Sequence, residues 1–200
     1  MEKLSTVLKD TLHTAGTTDI VPVEQKYLLT SEDLKTITAT ANALVVQKMI
    51  TEDDLLASLK SLLNLKENPK LTKRIAYPSD GYGARFYPDK VYFEKMTEEQ
   101  KEKGLAFVSL MRRPMTVSGI NKLYTRLRLA TRHTKDEDEF DEKLRMAIYV
   151  DEMRKHPAHI VRSVMMQPYE FFPTLNELIC DCEREEYILT ITENALKKGV

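Results

Sequence analysis

Phe171-Phe172-Pro173-Thr174-Leu175-Asn176-Glu177-Leu178 is the stretch on which the fold turns. Thr174 followed three residues later by Glu177 is a capping box: each side chain can accept the other residue's backbone N–H at a helix start. Pro173 restricts Phe172 to extended backbone, which throws its ring back against the preceding helix while Leu175 and Leu178 face the same core. The run therefore reads as a stapled, capped start of a last helix that continues to Lys198 and stops at Gly199.

Upstream of this run, Pro168 to Phe172 is a connector. Pro157 stands where a first helical turn accepts proline, ahead of Ile160, Val161, Val164 and Met165. The acidic cluster Asp136 to Glu139 suits a helix N-terminus, where carboxylates meet the positive end of the macrodipole. Phe140, Leu144, Ala147 and Ile148 are that helix's expected buried stripe. Ser118 opens an earlier helix with Ile120, Leu123, Tyr124 and Leu127 on one face. Thr97 with Gln100 is a further capping box, for a helix towards Met111 that Pro114 stops.

Nearer the start, Leu34, Ile37, Ala41, Leu44, Val45 and Met49 recur at helical spacing behind the capping residues Thr30 and Ser31. Thr51 with Glu52, Asp53 and Asp54 caps a second helix through Leu55, Leu56, Leu59, Leu62 and Leu63. The two close an αα-hairpin that Asn68 and Pro69 end. From Leu71 to Tyr92 the character changes to aromatics and turn formers. Ile75 to Tyr77 and Ala84 to Tyr87 fit short strands around the Gly81 and Gly83 turn, or an ordered loop. The first 28 residues mix Thr, Gly and Pro around a weak helical pattern at Leu4, Val7, Leu8 and Leu12. The expected fold is mainly α: helical bundles built from αα-hairpins, with a loop or small hairpin near 71–92. The expected organisation is a flexible segment 1–28, a helical hairpin 29–70, a connector 71–95 and a C-terminal helical domain 96–200.

At 200 residues and 42% hydrophobic content the chain can bury a core without metal or disulfide staples. No apolar run approaches the roughly 20 residues a membrane span needs, and Met1 to Asp10 lacks the apolar core of a signal peptide. Cys180 and Cys182 would point about 200° apart on a helix, so both are expected as free thiols of a cytoplasmic protein. Charge is unevenly spread. From Lys101 to Lys135 nine cations meet the single carboxylate Glu102, a local charge of +8, whereas from Asp136 to Glu186 14 carboxylates meet six cations, a local charge of −8. Either the two segments serve partners of opposite charge, or they pair with each other and with water.

A catalytic centre is not expected. His156 and His159 lie three apart, but Pro157 interrupts them, and cysteines with one residue between them on a helix disperse their thiolates, so no metal is expected. No serine occupies a nucleophile elbow, no cysteine has a cationic setting, and the Gly81 and Gly83 pair lacks the Lys-Ser/Thr of a phosphate loop. Neither an enzyme nor a cofactor is expected. Arg112, Arg113, Lys122, Arg126, Arg128 and Arg132 with Tyr124 are a candidate nucleic-acid surface, although Arg126 and Arg128 project about 200° apart and do not form one stripe.

The order of an acidic amphipathic helix (Phe140 to Met153), a His156-Pro157 helix start and the aromatic-aromatic-Pro-Thr turn with Leu175-Asn176-Glu177-Leu178 resembles the C-terminal helical module of phage replication proteins that load or inhibit the host's replicative helicase. The likeness spans Ser118 to Glu186. It implies a small helical adaptor in a bacterial host cytoplasm, with the helicase or another host protein as partner and single-stranded DNA as a further contact. Partner contacts would fall on Phe171, Phe172, Leu175 and Leu178, or on exposed neighbours if those are buried. An ATPase motif is missing, so energy would come from the partner. The alternatives are a host-takeover or defence-inhibiting protein acting through its acidic face, for which Asp136 to Glu139 would be essential, and a helical nucleic-acid-binding protein.

Overall fold

The computed structural model describes residues 29–45, 50–76, 84–132 and 139–198. The expectations for residues 1–28, for Met49, for Tyr77, for the turn at Gly81 and Gly83, for Asp136 to Asp138, for the side chain of Phe140 and for the stop at Gly199 lie outside these residues. Among the described residues the chain is mainly α, with seven helices and one two-stranded sheet. In order these are α1 (Ser31–Val45), α2 (Glu52–Leu63), β1 (Lys70–Ala76), β2 (Arg85–Tyr92), α3 (Glu98–Met111), α4 (Val117–Ala130), α5 (Glu139–Met153), α6 (Ala158–Met165) and α7 (Leu175–Lys198).

Caps set most of these boundaries. Thr51 accepts the Asp54 N–H at 3.1 Å while Asp54 accepts that of Thr51 at 2.9 Å. The Thr97 and Gln100 pair does the same for α3, and Thr174 with Glu177 for α7. α2 stops at Leu63 and does not reach Asn68, because Asn64 turns left-handed (φ 51°, ψ 46°), a conformation asparagine tolerates, and its N–H closes on the Lys60 and Ser61 carbonyls. α4 begins one residue before Ser118, capped by Thr116, whose hydroxyl accepts the Gly119 N–H at 3.2 Å. Thr116→Ala is expected to lower stability by about 1 kcal/mol, read as a shift of the urea midpoint without a change in slope.

The chain divides into two compact units, each assembled from separate stretches of sequence. The segment expected as one C-terminal domain, 96–200, contributes to both. One unit contains residues 111–186 with Val45. Here α4 packs against α5 and α6 over a core that includes Met115, Ile120, Tyr124, Leu127, Met153, Val161, Val164 and Leu178. Two bridges tie its loops: Ala158 donates to the Arg113 carbonyl at 2.8 Å, and Arg132 donates to that of Glu170 at 3.0 Å. Val45 belongs here because its carbonyl accepts from Arg162 Nη1 at 2.9 Å.

The other unit contains residues 29–44, 50–110 and 187–198. Its core is built from Ile37, Leu55, Leu59, Leu63, Phe107, Leu189 and Leu196. α3 crosses the end of α7 at Gly104, where an added Cβ would stand 2.8 Å from Leu196 Cδ2, closer than packed carbons come. The sheet is an antiparallel ribbon, longer than the short strands expected. Lys70 pairs with Tyr92 and Ala76 with Arg85, with a bulge between Thr72 and Lys73.

Candidate functional site

α5 is apolar on two opposite sides, and the stripe that sequence periodicity favours is the wrong one. Tyr149, Val150 and Met153 are buried, whereas Leu144 and Ile148 are 53% and 47% exposed and Ala147 is exposed as well. At about 100° per residue, Leu144, Ala147 and Ile148 centre on one face, and Tyr149, Val150 and Met153 on the face roughly 180° away. The second set wins because it meets the aromatic side of α4. Tyr124 lies edge-on to Tyr149 with ring centroids 5.4 Å apart, and edge-on to Phe172 at 5.3 Å.

The outward face of α5 has a groove beside it. Asp141, Leu144, Arg145 and Ile148, at helical spacing, line a shallow depression of about 390 Å³ together with Tyr149 and Leu175. Tyr149 forms its floor, held by a hydrogen bond from its phenol to the Pro173 carbonyl at 2.8 Å. The groove is thus lined by three aliphatic side chains and one tyrosine, with one carboxylate and one guanidinium.

The four expected partner contacts part company. Leu178 is 0% exposed and belongs to the core, while Phe171 is 52% exposed. Leu175 is half-buried and lines the groove. Phe172 packs its ring on Tyr124 of α4 and Tyr149 of α5, two helices that come earlier in the chain than the one it was expected to fold back on. Leu144 and Ile148, which were not among the four, are the exposed aliphatic side chains that line the groove. The signal for them is present in the sequence as an α5 with more apolar residues than a single stripe can hold.

The candidate nucleic-acid residues do not form one surface. Arg112 pairs with Glu186 at 2.6 Å, Arg128 with Glu142 at 2.5 Å and Arg132 with Glu170 at 3.3 Å. Each of these joins the basic segment to the acidic one, the second of the two arrangements its charges allowed. Arg113 is half-buried, and desolvation lowers its pKa from the ordinary arginine value. Lys122 and Arg126 are exposed, and Arg126 Nη1 lies 3.8 Å from Met166 Sδ.

The two histidines are separated in role. His156 Nδ1 lies 3.2 Å from Glu186 Oε2, beside Arg112. His159 is half-buried, and desolvation of its ring pulls its pKa down to about 4. Cys182 is buried with its thiol pushed up to about 12 by desolvation first, then by Glu185 and Asp181, which leaves it a poor nucleophile; Cys180 is exposed. Among the described residues no three His, Cys, Asp or Glu side chains converge as metal ligands, and no helix is long and apolar enough to cross a membrane. No protein-family model, curated protein or solved structure matches this chain.

Proposed function

We propose that the chain is a non-enzymatic replication adaptor of the phage helicase-loader or helicase-inhibitor kind, and that it receives an amphipathic helix of the replicative helicase in the α5 groove. The observation that carries this reading is the second apolar face of α5. Leu144 and Ile148 keep large aliphatic side chains in water at the edge of a ready groove, an arrangement characteristic of helix-in-groove recognition. Of the acidic segment, Glu142, Glu170 and Glu186 are engaged by arginines of the same unit, while Asp136 to Asp138 and the Glu139 side chain, on which the acidic-face alternative turns, lie outside the described residues.

Mixing the chain with the replicative helicase of its host is expected to give a defined complex on size-exclusion chromatography with light scattering. Leu144→Glu with Ile148→Glu is expected to weaken that complex at least 100-fold, because each places an unpaired charge in an apolar contact. Both side chains are exposed, so the far-ultraviolet circular dichroism should not change. If the wild-type chain forms no complex, the helicase reading is abandoned; if the double variant binds normally, the groove is not the contact.

A further inference from the structure

The β1–β2 ribbon carries four of its five cations on one side. Successive strand residues alternate between faces, so Lys70, Thr72, Arg74 and Ala76 share one, and the register sets Tyr92, Lys90, Tyr87 and Arg85 beside them in that order. Asp89 is the extra residue at the bulge and has no partner across the ribbon. On the opposite face Val91 is buried, its partner Leu71 half-buried, and Lys73 Nζ meets Glu52 of α2 at 2.6 Å, while further along the ribbon Ile75 and Phe86 are 52% and 65% exposed. On the outward face Lys70, Arg74, Arg85, Lys90 and Tyr92 are exposed and Tyr87 is half-buried.

We propose that this outward face binds single-stranded nucleic acid. Four cations stand there over a ribbon length of roughly 20 Å, Arg85 with a further contact of its own, and none of the eight cross-strand-paired residues is acidic. At its base Glu67 lies 3.9 Å from Lys70, a pair so exposed that a phosphate can replace the carboxylate at little cost. The two tyrosines decide between kinds of polyanion. A duplex keeps its base faces stacked on one another and offers them no ring, and an acidic protein would use the cations alone. A single strand presents a phosphate backbone to the cations and an open π-face to each tyrosine. The inference stands apart from the α5 groove and does not depend on the helicase reading.

The test is fluorescence anisotropy of a labelled oligothymidine of about 20 nucleotides with the full-length chain over a series of salt concentrations. Wild type is expected to show saturable binding, with log K falling against log salt at a slope of about −3, as four phosphate contacts on a single strand give. Arg74→Gln with Lys90→Gln is expected to weaken binding at least tenfold and to flatten the slope by about 1.4. Tyr92→Leu should weaken it roughly tenfold and leave the slope alone. Lys35→Gln with Lys197→Gln removes the same charge from exposed sites elsewhere and should change neither quantity. The altered hairpin residues are surface side chains, and unchanged circular dichroism will show that the variants fold. The proposal is overturned if wild type does not bind, or if the Lys35 and Lys197 variant loses as much as the hairpin variant. It is equally overturned if a duplex of the same length binds as tightly, or if polyglutamate at equal charge displaces the probe as well as unlabelled oligothymidine does.

Discussion

Tyr124→Ala is expected to destabilise the unit of residues 111–186 by about 4 kcal/mol, the largest effect of any single truncation on this face of the fold. The ring is 1% exposed, so its removal leaves a cavity inside the core. It also holds the cluster together, edge-on to Tyr149 (interplanar angle 76°) and to Phe172 (68°), and each such pair adds about 0.5–1.5 kcal/mol beyond burial. Its removal takes one ring contact from Phe172 and so loosens the segment leading into Thr174 and α7. By contrast, Phe171→Ala, one residue from Phe172 in sequence, removes a half-exposed ring and should change stability by less than about 0.5 kcal/mol. Urea denaturation followed by tyrosine near-ultraviolet circular dichroism measures both. A loss below about 1 kcal/mol for Tyr124→Ala would mean that the aromatic cluster is not what holds α4, α5 and the Phe172 segment together.

The contrast between Phe171 and Phe172 shows what was legible in the sequence. Helix order and most helix starts were, because a capping box is a rule about residues three apart: Thr51 with Asp54, Thr97 with Gln100 and Thr174 with Glu177 close as local chemistry requires. The stop at Asn64 was harder to see, since a left-handed asparagine competes with the more conspicuous Asn68 and Pro69 downstream. The ribbon's full length was hidden for another reason: Lys-Leu-Thr-Lys-Arg is a poor strand sequence alone, and β1 extends to Lys70 because β2 supplies its ladder. The orientation of α5 lies beyond any periodicity argument. Two apolar stripes on opposite faces fit the pattern equally, and the choice is made by the rings of Tyr124 and Phe172, from α4 and from the connector before α7. The candidate groove inherits that ambiguity, because Leu144 and Ile148 become surface only once Tyr149 and Met153 have been chosen as core. Charge lies between these cases. The opposite local charges are plain in the sequence, but the pairing of Arg112 with Glu186 joins residues that only the fold brings together.

Lowering the pH from 8 to 5 is expected to remove about 2 kcal/mol of stability through His159 alone. The imidazole sits on α6 inside the same unit, and desolvation, aided by the nearby positive charge of Arg162, holds its pKa at about 4 against an ordinary value of 6.5; a hydrogen bond with the Met111 backbone offsets this only in part. The folded chain therefore keeps His159 neutral where the unfolded chain has already taken up a proton. The stability this represents is fully present above pH 6.5, declines as the pH falls, and is exhausted below about pH 4, where the folded state binds the proton too. The whole window is worth about 3 kcal/mol at 1.36 kcal/mol per pH unit. Glu185 acts in the opposite sense: burial raises its carboxyl pKa, so the folded state takes up that proton first and is favoured as the pH falls. A wild-type profile mixes the two, and the difference between wild type and His159→Leu isolates the histidine. Leucine fills similar volume and does not titrate, so the wild-type stability relative to the variant should drop by about 2 kcal/mol between pH 8 and pH 5 in urea titrations. Profiles that run parallel across that range would show that His159 takes up its proton as readily in the folded chain as in the unfolded one.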